Sequence, residues 1–258
     1  MNASRRILHP ENPNPASASR CALALVTKAP RAGDVKTRLS PPLTAEEAAT
    51  LNVCFLRDMA TSIGKAGREA QGIACFTPAG AAEFYRDILP EYFQLIAQRD
   101  GELGARLIGA VEDLLAVGFA GVCLINSDSP TVPAMVFAEA VQILASPGQR
   151  IVLGPSDDGG YYLIGMRQLH SRLFEDIAWS TEQVLVQTHE RATEVGLEVH
   201  LLPACYDVDD RKALEKLCRD LLGPEPSIAL DVAPATRAFL RELVAREGRE
   251  RMWSTVSA

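Results

Sequence analysis

"CALALVTKAPRAGDVKTRL", Cys21 to Leu39, decides how the chain folds. It opens with a short apolar run that stops at a loop rich in Lys, Arg and Gly. A short apolar run bounded by turn residues reads as a buried strand. The loop gathers Lys28, Arg31, Lys36 and Arg38 around Gly33, with the single acid Asp34, in a chain of formal net charge -7. Positive charge concentrated at a strand end suits a small anion. A solvated basic turn would look the same, so the loop does not decide the matter alone. The loop contains neither GxxxxGK[ST] nor GxGxxG, which leaves a Walker loop and a Rossmann dinucleotide site without support.

The same kind of pattern continues along the chain. Thr44 to Lys65 reads as a helix, with Thr44 and Glu47 placed for a capping box. "QGIACFT" (71–77) and "YFQLIAQ" (92–98) read as strands. "GELGARLIGAVEDLLAVG" (101–118) reads as a helix with Gly118 as its C-terminal cap. "GVCLINSD" (121–128) is a strand, 133–145 a helix, and 150–156 and 161–166 are strands flanking "DDGG". A helix over 181–195, a strand over 197–203 and a helix over 209–223 follow. Apolar strands alternating with helices imply a largely parallel sheet covered on both faces. The expected architecture is one α/β domain over residues 21–222. A flexible tail precedes it (1–20) and a helical extension follows (223–258), whose helix over 234–246 is expected to pack on the domain. Contact between two copies in a homodimer is the alternative role for that helix.

Composition narrows the function classes. The chain has 258 residues, 47% hydrophobic and 23% charged, within the range of ordinary folded domains. Its acidic balance argues against nucleic acid as a partner. No apolar run is long enough to span a bilayer, and no secretory signal is visible, so a cytoplasmic protein without a membrane partner is expected. The six cysteines form no CxxC pair and read as buried thiols. The four histidines show no metal spacing. A serine nucleophile elbow and a Cys–His signature are both missing.

In open parallel sheets, ligands bind at the carboxyl ends of the strands. "NSDSP" puts Ser127 and Asp128 there, as a hard-cation ligand or as an ordinary turn and cap. "DDGG" places Asp157 and Asp158 before Gly159 and Gly160. Those glycines fit a hairpin turn, a close ligand approach, or both. In "AWSTEQ" (178–183), Ser180 with Gln183 fits a capping box, or Thr181 is the cap. Trp179 is a core residue or a stacking platform. "CYDVDD" crowds Asp207, Asp209 and Asp210 into one loop. Helix capping explains one acid easily and three poorly, whereas a divalent metal explains the cluster.

"LVTKAPRAGDVKTRL", "GELGARL", "NSDSP", "VLGPSDDGGYYLIG", "AWST" and "YDVDD" occur in one order across Cys21 to Leu222. This arrangement resembles a bacterial family of GT-A-like transferases labelled arsenosugar-biosynthesis-type or radical-SAM/selenodomain-associated glycosyltransferases. That family lies within the nucleotide-diphospho-sugar transferase superfamily. The resemblance implies a single Rossmann-like GT-A domain, a three-layer α/β/α sandwich with a mostly parallel central sheet. It also implies a nucleotide-activated donor (a nucleotide sugar or a nucleoside triphosphate) and a small-molecule acceptor. The first loop would hold the donor's phosphates through Lys36 and Arg38, with Lys28, Gly33, Thr37 and Ser127 around them. Asp128 and Asp209 would ligate Mg²⁺ or Mn²⁺, and Asp207 of the same acidic cluster is the third expected metal ligand. Asp128 and Asp158 would serve catalysis, and Gly159, Gly160 and Trp179 would meet the substrate. The family's "DTPEDL"-like motif reads "DDRKAL" here, with Asp210 for Thr and Arg211 for Pro. The leading expectation is a metal-dependent glycosyltransferase. The alternatives are a guanylyl- or cytidylyltransferase-like enzyme releasing pyrophosphate, and a non-catalytic nucleotide-binding protein.

Overall fold

The computed structural model describes residues 7–224 and 226–252. In chain order it contains β1 (Cys21–Lys28), α1 (Ala45–Gly64), β2 (Ala70–Thr77), β3 (Gln94–Ala97), α2 (Leu103–Val117), β4 (Gly121–Asn126) and α3 (Ala134–Ala145). These are followed by β5 (Arg150–Pro155), β6 (Tyr161–Met166), α4 (Val184–Glu194), β7 (Glu198–Leu201), α5 (Arg211–Leu222), α6 (Pro234–Glu247) and α7 (Arg249–Met252). The strands form one sheet in the order β3-β2-β1-β4-β6-β5-β7. β1 lies inside the sheet and runs parallel to β2 and β4. The parallel pattern extends to β2–β3 and β5–β7. Only β6 runs against its neighbours. The tight "SDDGG" turn between β5 and β6 leaves no room for a crossover, so those strands must be antiparallel.

The period of two along β1 explains the layers. Leu23 and Leu25 point to one face, with Leu56 and Met59 of α1 and Phe137 of α3. Ala22 and Ala24 point to the other, with Leu107, Val111 and Leu114 of α2 and Ala192 of α4. A strand buried on both faces needs a continuous apolar run, which "CALALV" supplies. Each fully buried leucine contributes roughly 1.5–3 kcal/mol relative to an exposed one. A third cluster joins Leu51 and Phe55 of α1 to Leu214 and Leu217 of α5 and Leu240 and Leu243 of α6. The extension therefore packs on the domain.

Local signals set the helix ends. The Thr44 hydroxyl accepts from the Glu47 N–H at 3.2 Å, and the Glu47 carboxylate accepts from the Thr44 N–H at 3.0 Å. Gly118 ends α2 at φ 108°. Helix α6 starts behind a left-handed Ala233. Its orphan N–H groups at Ala235 and Thr236 donate to Asp58 of α1 at 2.9 and 2.8 Å.

Two expectations need correction. Helix α4 begins at Val184, and neither Ser180 nor Thr181 caps it. Ser180 sits at φ 63°. The Thr181 hydroxyl donates to the Ala178 carbonyl at 2.7 Å and accepts from the Gln183 N–H at 3.3 Å, one residue ahead of the helix, so Gln183 stands at the N-cap position without a side-chain cap bond. The stretch expected to be a flexible tail is held from Ile7 onward. Ile7 bridges to Leu95, and the N–H of buried Leu8 donates to the Leu95 carbonyl at 2.7 Å. The apolar pair "IL" extends the sheet beyond β3. Residues 1–6 of that tail and 253–258 of the extension lie outside the described residues.

All six cysteines are free thiols, five of them buried and Cys205 half-buried. Among the described residues, no helix is long and apolar enough to cross a membrane.

Candidate active site

Strands β1, β2 and β4 end at the same edge of the sheet, and their exit loops enclose a cavity of about 370 Å³. Lys28, Lys36, Thr37, Arg38 and Ser127 all line it. Gly33, at φ 82° with open space where a Cβ would stand, turns the loop without touching the cavity. Arg31 lies over the Phe84 ring at 4.7 Å instead of joining the cluster.

Lys36 is the anchor of this end. Its backbone is left-handed at φ 51°, and its side chain is only 5% exposed. The ammonium lies 2.6 Å from Asp128 Oδ1 and 2.8 Å from Asp209 Oδ1. It also donates to the Val208 carbonyl at 2.9 Å. Burial lowers the lysine's pKa, but the two carboxylates outweigh it and hold the pKa above its ordinary value. The structure thus aims this lysine at the two proposed metal-ligating acids.

The loop carrying Asp209 is tied back to β4. The Val208 N–H donates to the Asp128 carbonyl at 2.9 Å. Asp207 Oδ1 accepts from the Asn126 amide at 2.8 Å and from the Ser129 hydroxyl. Burial, together with the charges of Asp128 and Asp158, pushes the Asp207 carboxyl up to about 6 against these hydrogen bonds. Asp207 therefore braces two loops against each other. Among the described residues, no three His, Cys, Asp or Glu side chains converge as a metal cluster. The carboxylates that do face each other are Asp128 and Asp209. Two hard oxygen donors suit Mg²⁺ or Mn²⁺, whose shells are commonly completed by water and substrate phosphates. The donor set therefore fits such an ion. Asp210, the third acid of the cluster, caps α5 by accepting from the Ala213 N–H at 2.8 Å.

A second cavity of about 460 Å³ adjoins the first and shares Arg38, Ser127, Asp128 and Asp209 with it. Leu103, Leu107, Ile164 and Trp179 give it an apolar wall, and Asp158, Glu182 and Asp207 add acids. Trp179 packs on α2 at Gly104, where an added Cβ would come within 2.9 Å of the indole nitrogen. Asp158 lines this cavity, and its Oδ1 accepts from the Gly160 N–H at 2.9 Å. Gly160 lines it too. The space over Gly159, expected to admit a ligand, is filled by the chain itself. A Cβ there would lie 2.3 Å from the Glu182 carbonyl oxygen. Gly159 instead lets the 177–183 loop close down, and its carbonyl accepts from the Leu185 N–H at 2.9 Å.

The sequence reading missed Arg106, Gln98 and Asn52, which also line the first cavity. Arg106 donates to the Gln98 side-chain oxygen at 3.1 Å. Its Nε is buried without a partner, as is Asn52 Oδ1. The "GELGARL" motif already contained this arginine, one helical turn from the start of α2.

Comparison with known proteins agrees with this architecture. Residues 62–181 match the family model described as "Uncharacterized protein conserved in bacteria (DUF2064)". No curated protein matches the chain. A crystal structure titled "putative nucleotide-diphospho-sugar transferase" from Desulfovibrio desulfuricans G20 is 30% identical, with a TM-score of 0.77. The match covers 89% of this chain and 98% of that one. A CMP:2-keto-3-deoxy-manno-octonic acid synthetase complexed with CTP shares the fold at 12% identity and a TM-score of 0.50, over 77% of this chain and 97% of that one. With near-complete coverage of a 30% identical relative, the chain belongs to the nucleotide-diphospho-sugar transferase family.

Proposed function

We propose that the protein is a divalent-metal-dependent glycosyltransferase that moves a sugar from a nucleoside diphosphate to a hydroxyl of a small molecule carrying no phosphate. One observation carries this reading: two adjoining cavities of opposite character meet at Asp128 and Asp209. The first gathers Lys28, Lys36, Arg38 and Arg106, a set that suits a diphosphate. The second sets Asp158, Glu182 and Asp207 against Arg38 beside an apolar wall.

The chemistry follows from that division. The acceptor oxygen attacks the anomeric carbon, the bond from that carbon to the diphosphate oxygen breaks, and the nucleoside diphosphate leaves. Arg38 stands where the cavities join, placed to balance charge growing on the leaving oxygen. Asp128 and Asp209 would hold the metal, which supplies Lewis-acid neutralisation of the diphosphate. Asp158 faces the acceptor side and is the proposed acceptor contact and proton acceptor. Trp179 offers a flat apolar face to a sugar or an acceptor ring. The motif resemblance extends the proposal to the arsenosugar-type and radical-SAM-associated branch of the family.

Nucleotidyl transfer is the second reading, favoured by the basic loop, which suits a triphosphate. Its acceptor would be a phosphate, and a phosphate entering the second cavity would meet Asp158, Glu182 and Asp207 in addition to the shared Asp128 and Asp209. Like charges in a partly desolvated site repel strongly. The paired acids also speak against a protein that only binds nucleotide. Calorimetry with Mn²⁺ tests the reading. A nucleotide sugar or nucleoside diphosphate should bind at least tenfold tighter than the matching triphosphate, and Asp128→Asn should erase the metal dependence. A clear preference for one triphosphate would move the assignment to nucleotidyl transfer.

A further inference from the structure

Lys36 satisfies all of its hydrogen-bonding capacity inside the protein. An ammonium has three N–H donors. Those of Lys36 meet Asp128 Oδ1, Asp209 Oδ1 and the Val208 carbonyl at 2.6, 2.8 and 2.9 Å. The Phe55 ring lies 5.5 Å from the same nitrogen. The lysine therefore has no N–H left for a donor phosphate while this arrangement lasts. Nor is there room for a second cation, because Mg²⁺ needs its oxygens at about 2.0–2.1 Å and the nitrogen already occupies the point between them.

We propose that Lys36 is an exchangeable resident counter-ion of the Asp128–Asp209 pair. The entering divalent metal displaces its ammonium from the carboxylates, and the freed ammonium moves to the donor's diphosphate. This rests on the reading of Asp128 and Asp209 as metal ligands. The resident ammonium neutralises the two facing carboxylates, which would otherwise repel, until a metal takes its place. It also makes metal and nucleotide binding mutually dependent, since each takes up what the other releases. No bond is made or broken, and the lysine stays protonated throughout. Its neighbour Arg38 lines the same cavity but forms no ion pair with either acid among the described residues. Arg38 thus serves as a control for the general electrostatic field.

The test is a Mn²⁺ titration followed by electron paramagnetic resonance, without nucleotide, on wild type, Lys36→Met and Arg38→Met. Lys36→Met should bind Mn²⁺ about tenfold or more tighter than wild type. Arg38→Met should change binding less than about threefold, as expected for a solvent-screened charge. Adding Asp128→Asn to Lys36→Met should abolish the gain. Equal gains in both single variants, or none in Lys36→Met, would overturn the exchange while leaving the metal reading intact. Failure of every form to bind Mn²⁺, even with a nucleoside diphosphate present, would overturn the metal reading along with it. A second measurement uses the wild type alone and does not depend on the variant folding. Reductive methylation read by mass spectrometry should modify Lys36 more slowly than exposed Lys28, and Mn²⁺ should speed Lys36 several-fold. An unchanged Lys36 rate would contradict the exchange.

Discussion

The Asp207 carboxylate accepts the Asn126 amide at 2.8 Å, and this bond ties the end of β4 to the loop before α5. It places Asp209 opposite Asp128. Burial raises the Asp207 pKa to about 6, against about 3.9 in an unfolded chain. A raised carboxyl pKa means that the folded state keeps the proton to higher pH. Its contribution is therefore fully present below about pH 4 and is lost as pH rises to about 6, to the extent of roughly 2–3 kcal/mol. Urea denaturation of the metal-free protein at pH 4, 5 and 6.5 checks this. Asp207→Asn should gain on wild type by about that amount across the window. A constant difference between the two proteins would show that Asp207 is not held in this way.

Arg106 is expected to be a nucleotide-binding residue. Its guanidinium reaches the Gln98 side chain, and its Nε is buried without a partner. Arg106→Met should weaken binding of a nucleoside diphosphate by about 10–100-fold, the loss of one charge-assisted contact of roughly 1.5–3 kcal/mol. Thermal stability should fall little. A large drop in melting temperature with unchanged affinity would make the arginine a structural residue.

Gly159 should be intolerant for a backbone reason. It sits at φ 84°, and a Cβ would lie 2.3 Å from the Glu182 carbonyl oxygen. Gly159→Ala should cost about 1–3 kcal/mol through backbone strain and clash. It should also push back the loop bearing Glu182 and Trp179. Acceptor KM is expected to rise while the Kd of the donor diphosphate stays within about twofold, because that cavity is walled by other loops. If the Kd moves and KM does not, the two cavities have been assigned the wrong way round.

Asp58 caps a helix far along the chain, accepting from the Ala235 and Thr236 N–H groups. Asp58→Ala should cost about 1–2 kcal/mol, as other N-cap losses do, with activity below the melting transition unchanged. Chemical denaturation alongside an activity assay reads both. No stability change would mean that α6 docks through its apolar face alone.

The sequence showed most of the fold because its elements carry their own signals. The run "CALALV", bounded by turn residues, reads as a buried strand, and the structure covers it on both faces. Thr44 with Glu47 and Gly118 marked helix ends that the structure places within a residue. The start of α4 is misleading in sequence because Ser180, Thr181 and Gln183 match a cap by spacing, while the chain needs a left-handed Ser180 to bring the 177–183 loop onto Gly159. Ile7 and Leu8 are too few to show periodicity, and only the neighbouring edge strand β3 reveals their role. In the site, the acids and the basic loop are visible as clusters at strand ends. Which charge faces which is not, because Lys36, Asp128 and Asp209 come from three separate loops and meet only in the folded sheet. Arg106 and Asn52 lie inside helices, where a lone polar residue carries no local mark of function.

The most direct measurement of the central claim is ³¹P NMR of the protein with Mn²⁺-free Mg²⁺ and a panel of nucleotide sugars and nucleoside triphosphates. Glycosyltransferases of this design should let water replace the acceptor slowly, so the account predicts that one nucleotide sugar yields its nucleoside diphosphate. Asp128→Asn should abolish that signal. Release of pyrophosphate from a triphosphate, with every nucleotide sugar left intact, would contradict the account.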